Sequence, residues 1–179
     1  MRPETDAQLE ALIETTAYHI SKLQRYVAGV NAEEMQWTPA GISNSLSWIL
    51  RHCADQLWLT YARLSGERIP ANLGASGIAW SAVKGASFDQ EAQGPDASAE
   101  QLSGYMAQAW QTLKTYLQGS TEWQDLNLVI GRQKQSAWTF LQHSIGDLCY
   151  HTGQASYLRK LLTAERRRMC ARRRRVQQA

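Results

Sequence analysis

No apolar run in this chain approaches the roughly 20 residues that a membrane-spanning helix needs. The amino terminus, MRPETDAQLEALIETT, has no apolar segment after a basic start, so a secretory signal is not expected. Cysteine is scarce. Cys53, Cys149 and Cys170 are odd in number and show no metal-type pairing. Two of them fall inside predicted helices, where a small buried thiol is the usual role. Reduced cysteines and a cytoplasmic location are the expectation. There is no Gly-rich phosphate loop, no Ser-His-Asp pattern and no internal repeat at a fixed period. These gaps set aside P-loop and serine-hydrolase chemistry and solenoid architectures. Phenylalanine is also rare, at two, against seven Trp and seven Tyr. Aromatics with a polar handle suit interfaces and cavity rims as well as cores.

What remains is ordinary for a soluble globular chain: 179 residues, 44% hydrophobic and 20% charged, enough for one domain with a substantial core. The net charge of +3 misleads. Residues 165–179 hold seven Arg and one Glu, or +6, which leaves the rest of the chain at about −3. The expected organisation is a domain over residues 1–164 and a basic tail over 165–179. So dense a run of like charge repels itself and is expected to be solvated or disordered beyond a helical turn or two.

Four stretches carry the 3–4 spacing of a core-facing helical stripe. In residues 6–30 it is Leu9, Leu12, Ile13, Thr16, Ile20, Leu23, Val27 and Val30, with Thr5 or Asp6 as cap. Residues 31–42 read as a connection with turn markers Pro39 and Gly41, packed on the bundle by Trp37. A second helix, from about Ser45 to Ser65, has the line Leu46, Ile49, Leu50, Cys53, Leu57, Tyr61 and Leu64, with Ser43 or Asn44 as cap and Gly66 as stop. Residues 67–97, rich in Gly and Pro, form a long loop. In it Trp80 and Phe88 suggest packing around a helical turn at 78–84 and a pocket wall over one end of the bundle. The third helix, Ser98 to Gln118, opens with the capping-box pattern SAEQ and buries Leu102, Tyr105, Met106, Ala109, Leu113 and Leu117. LNLVI followed by GRQKQ predicts a small hairpin turning at Gly131. The fourth helix begins at Ser136, with the stripe Trp138, Leu141, Ile145, Leu148, Ala155, Leu158 and Leu162. Four amphipathic helices with long connections make an all-α protein, a four-helix bundle.

Beside that last stripe, His143, Asp147 and His151 recur at four-residue steps. On a helix such residues stack on one face, about 5–6 Å apart at Cβ. They border the apolar face, where Asp and His cost free energy unless hydrogen-bonded, paired or metal-bound. His52 lies beside the apolar line of the second helix. The candidate ligands are therefore His52, His143, Asp147 and His151, taken from facing helices as bundle metal sites usually are. Imidazole and carboxylate suit Zn, Ni, Fe or Mn. Hydrogen bonding alone is the other reading of this line. His19 sits near the first stripe and reads as a core-edge histidine bonded to a neighbour. Asp55 and Gln56, one turn from His52, are candidate bases or simply exposed helix-face residues. Gln154 continues the ligand line and can orient His151. Trp48, Trp58, Trp80, Trp110 and Trp138 read as core and interface packing. Trp58 and Trp110 are candidates for a helix–helix interface between two copies.

The segments NSLSWILRHCADQLW and HSIGDLCYHTGQASYLRKLL resemble the DinB/YfiT-like superfamily, through a His in the second helix and an H-x-G-Q motif followed by Leu-Arg in the fourth. The likeness runs over residues 6–162. It implies a four-helix bundle, often dimeric, with a divalent metal held by three side chains at one end. The implied set here is His52, Asp147 and His151. Asp147 stands where a His is usual, as in thiol-dependent transferase members that are similar in using a carboxylate. His143 is implied as a substitute or supporting residue. The resemblance points to metal-dependent hydrolases or S-transferases that act on small molecules, some with a small thiol cofactor. The other reading is a non-catalytic dimerising or ligand-binding bundle. The Arg-rich tail could meet phosphates, but its lack of interleaved aromatics and the acidic body argue against a nucleic-acid partner.

Overall fold

A computed structural model of the chain describes residues 3–39, 44–67 and 98–177. The elements follow as α1 (Pro3–Val27), α2 (Ala32–Gln36), α3 (Leu46–Ser65), α4 (Ala99–Gly119), a 3-10 turn at Glu122–Asp125, β1 (Asn127–Ile130), β2 (Gln133–Ser136) and α5 (Ala137–Gln177). The long helices α1, α3, α4 and α5 form the expected bundle, in which α1 and α3 each pack on both α4 and α5. The stripes read from the sequence are what meet inside. Leu23, Ile49, Leu50, Met106, Leu113 and Leu141 are almost wholly removed from water. No described helix is long and apolar enough to cross a membrane.

Local chemistry sets the element ends. α1 begins at Pro3, a residue suited to a first helical turn because its missing N–H is not needed there. Thr5 and Asp6 therefore lie inside the helix instead of capping it. α3 is capped by Ser45, whose Oγ accepts from the Trp48 amide at 3.1 Å, and not by Ser43 or Asn44. It stops at Gly66, whose φ of 72° only glycine adopts cheaply. α4 starts with the reciprocal Ser98–Gln101 capping box. The hairpin pairs Asn127 with Ser136 through Ile130 with Gln133, turning at Gly131 with φ 62°.

Three features differ from the sequence expectation. The connection after α1 holds the short helix α2, because Asn31 and Glu34 satisfy each other's backbone amides in a second capping box. Trp58 is 1% exposed, so it fills the core and is no surface for a second copy. α5 does not stop near residue 164 but runs through the arginines to Gln177. Arginine is a good helix former, and Arg166 is tied back to Glu34 of α2. The helical turn at 78–84, Trp80, Phe88 and the proposed pocket wall lie outside the described residues, as do Gly41 and Ser43.

Candidate metal centre

α3 presents His52 to α5, while α5 presents Asp147 and His151 one turn apart to α3. The helices are locked in register nearby, where the buried Thr60 hydroxyl donates to Ser144 Oγ at 3.0 Å. His52 Nε2 lies 3.0 Å from Asp147 Oδ2, and His151 Nε2 lies 3.5 Å from Asp147 Oδ1. The two imidazole centroids are 4.5 Å apart. One donor atom from each of the three residues falls within 4.8 Å of the other two. His151 is buried and His52 nearly so, at 7% and 10% side-chain exposure, whereas the Asp147 side chain is 39% exposed. The cluster therefore sits at the edge of the core and meets solvent through its carboxylate.

The electrostatics follow from the contacts. Hydrogen bonding to His151 and then to His52 holds the Asp147 carboxyl far below the usual carboxylate range, and outweighs the opposing effect of its partial burial. Asp147 is thus an anion at any ordinary pH. His151 Nδ1 is 2.8 Å from Gln154 Oε1. A carbonyl oxygen only accepts, so His151 Nδ1 donates to Gln154, which fixes the plane of the ring and aims its Nε2 at Asp147. Gln154 is itself oriented, since its Nε2 donates to the Tyr150 hydroxyl at 2.9 Å. The Trp48 ring stacks on His52 at 4.7 Å and 7° and meets His151 edge-on at 5.5 Å, fixing the plane of the first imidazole.

Of the sequence candidates, His52, Asp147 and His151 converge and Gln154 supports His151. His143 is exposed on α5 and stands outside the cluster. Asp55 is not the exposed helix-face residue expected. It is 8% exposed, accepts from the Tyr105 hydroxyl at 3.1 Å and lies 3.8 Å from Arg51 Nε. That buried group faces α4, which leaves Asp55 engaged. Cys53 is buried, and desolvation followed by the Asp147 charge pushes its thiol up, so it packs and offers no thiolate. His19 stands at the core edge against Tyr18. Its Nδ1 is buried without the hydrogen-bonded neighbour expected among the described residues. Tyr150 and the Trp48 stack join the site with little mark in the sequence. The i, i+4 spacings 150–154 and 48–52 were their only signal.

A family model described as the DinB superfamily matches residues 15–155. Among solved structures, the crystal structure of a conserved protein from Enterococcus faecalis superimposes with a TM-score of 0.72 at 21% identity, covering 87% of this chain and 96% of that one. At that identity the likeness is one of fold. No match is found among the curated proteins.

Proposed function

The chain belongs to the DinB superfamily, and from that premise we propose that His52, Asp147 and His151 hold a divalent cation in a metal-dependent hydrolase or S-transferase acting on a small molecule. The observation that carries this reading is the spacing of the donor atoms. A tetrahedral ion with bonds of about 2.0–2.1 Å separates its ligand atoms by about 3.3–3.4 Å. One donor atom of each residue lies within 4.8 Å of the other two, and each imidazole already approaches one Asp147 oxygen, at 3.0 and 3.5 Å, so a small closing of the three side chains reaches that edge. The bond from His151 Nδ1 to Gln154, which aims Nε2 at Asp147, is the second support. The donor set of two imidazoles and one carboxylate suits Zn, Ni, Fe or Mn. A bound ion of this kind lowers the pKa of water or of a small thiol toward neutrality.

The chain's own residues then have distinct tasks. Asp147 supplies the negative charge, and His52 and His151 supply the two imidazole nitrogens. Gln154 and Trp48 hold the two rings in orientation. The same reading includes a reducing, cytoplasmic setting for the three free thiols and a homodimer. With Trp58 buried, the exposed Tyr150 and Tyr157 of α5 and Tyr18 of α1 are the aromatic surface for self-association.

A second reading has a non-catalytic bundle. It is favoured by the 3.0 Å contact itself, which also fits His52 Nε2–H donating directly to Asp147. Elemental analysis of purified protein separates the two. About one divalent ion per chain, lost in His52→Ala and in His151→Ala, is the expected result. No ion, together with a melting temperature indifferent to added metal, would leave the hydrogen-bonded bundle.

A further inference from the structure

From Thr163 to Gln177, α5 continues about 22 Å past Leu162, its last buried residue among those described, at about 1.5 Å per residue. The root of this extension is fixed to the bundle. Arg159 reaches the Ala28 carbonyl at 3.3 Å, and Arg166 reaches both the Gly29 carbonyl at 3.4 Å and the Glu34 carboxylate. Beyond the anchor, Arg167, Arg168, Arg172, Arg173 and Arg174 are all exposed. The one acid of the stretch, Glu165, lies 3.5 Å from Arg168.

Successive helical residues are about 100° apart, so Arg172, Arg173 and Arg174 point in three directions and the charge encircles the rod. A helix that lies on a bilayer needs an apolar face. Among the described side chains of the extension, the exposed large hydrophobic is Met169 alone. A polyanion that surrounds the rod is the better match. An α-helix with its side chains is about 10–12 Å across, and the major groove of B-DNA is about 12 Å wide with phosphates along both walls. The missing aromatics do not count against this partner. They serve to stack on unpaired bases, whereas a groove-filling helix needs only charge. The acidic balance of the remaining chain keeps the contact confined to the extension.

We infer that the arginine-rich end of α5 is a docking element for duplex DNA, held by phosphate contacts without base readout. It is independent of any metal at His52, Asp147 and His151. Fluorescence anisotropy of the full chain with a short mixed-sequence DNA duplex tests it. Binding at low salt is expected, with log K falling against log salt at a slope of about −4 to −5 for five arginines. Replacing Arg167, Arg168, Arg172, Arg173 and Arg174 together by Gln is expected to weaken binding at least about 100-fold and to flatten the slope. The matching Arg→Lys replacements keep the charge and are expected to keep the slope, which separates loss of charge from loss of helix. The inference is overturned by absence of binding at low salt or by an unchanged slope in the Gln variant. Binding to anionic phospholipid vesicles as tight as binding to the duplex overturns it too.

Discussion

His52 Nε2 and Asp147 Oδ2 sit 3.0 Å apart although 95 residues separate them in the chain. The contact joins α3 to α5 at the point where the core gives way to solvent. Every consequence of the proposed centre passes through it.

Metal addition should stabilise the protein by mass action, since a ligand at about 100 times its Kd contributes about 2.7 kcal/mol. For a domain of this size that is a rise of about 5–10 °C in Tm. Differential scanning fluorimetry with Zn, Ni, Fe and Mn reads it. The His52→Ala and Asp147→Asn proteins should show no rise, and a rise of wild-type size in both would remove these residues as ligands.

Gln154→Leu takes away the acceptor of the His151 Nδ1 hydrogen. Metal affinity should fall about 10–100-fold, measured by competition with a chromophoric chelator. Gln154→Glu keeps the acceptor and should retain affinity. Tyr150→Phe acts one bond further out on an exposed side chain and should cost less than Gln154→Leu.

Thr60 is fully buried and its hydroxyl ties α3 to α5 through Ser144. Thr60→Val keeps the shape and loses the bond, so chemical denaturation should report a loss of about 1 kcal/mol. A weaker metal affinity in the same protein would show that this tie sets the spacing of the site.

The pairing of Glu34 with Arg166 makes stability depend on pH. The Arg166 hydrogen bond is the chief reason that the Glu34 carboxyl titrates below its ordinary value. A carboxyl with a depressed folded pKa contributes stability that is complete above its unfolded pKa and is lost as pH falls through the folded one. Both side chains have solvent access, at 17% and 40% exposure, which holds the coupling to about 0.5–1 kcal/mol. A double-mutant cycle with Glu34→Gln and Arg166→Gln should show it near neutrality and lose it in acid. The Gln at position 34 preserves the Asn31 capping box, so helix α2 is not the variable.

The bundle was legible because burial repeats with the helical period. The lines through Leu46–Leu64 and Leu102–Leu117 are the faces found inside. Gly131 and the SAEQ box carried their local geometry in their residue types. The site was legible through the four-residue step from Asp147 to His151 together with the family resemblance around His52. What escaped depended on partners distant in sequence. Asp55 has the local signature of an exposed helix residue, and Tyr105, 50 positions away, is among the partners that make it a buried one. Trp58 looks like interface from composition alone, but the volume to be filled between helices is a property of the assembled fold. The arginine run was expected to be solvated or disordered beyond a helical turn or two, and it is solvent-exposed but helical to Gln177. Its anchorage at Glu34 and the Gly29 carbonyl, more than 130 positions earlier, was invisible to local reasoning.

The two imidazoles are hidden while the carboxylate between them is not. A solute approaching from water therefore meets an anion before it meets a nitrogen. Positively charged visitors are drawn in, and negatively charged ones are turned away at the threshold. Uptake of a cation is accordingly fastest in dilute buffer and slows as added salt shortens the reach of that single charge.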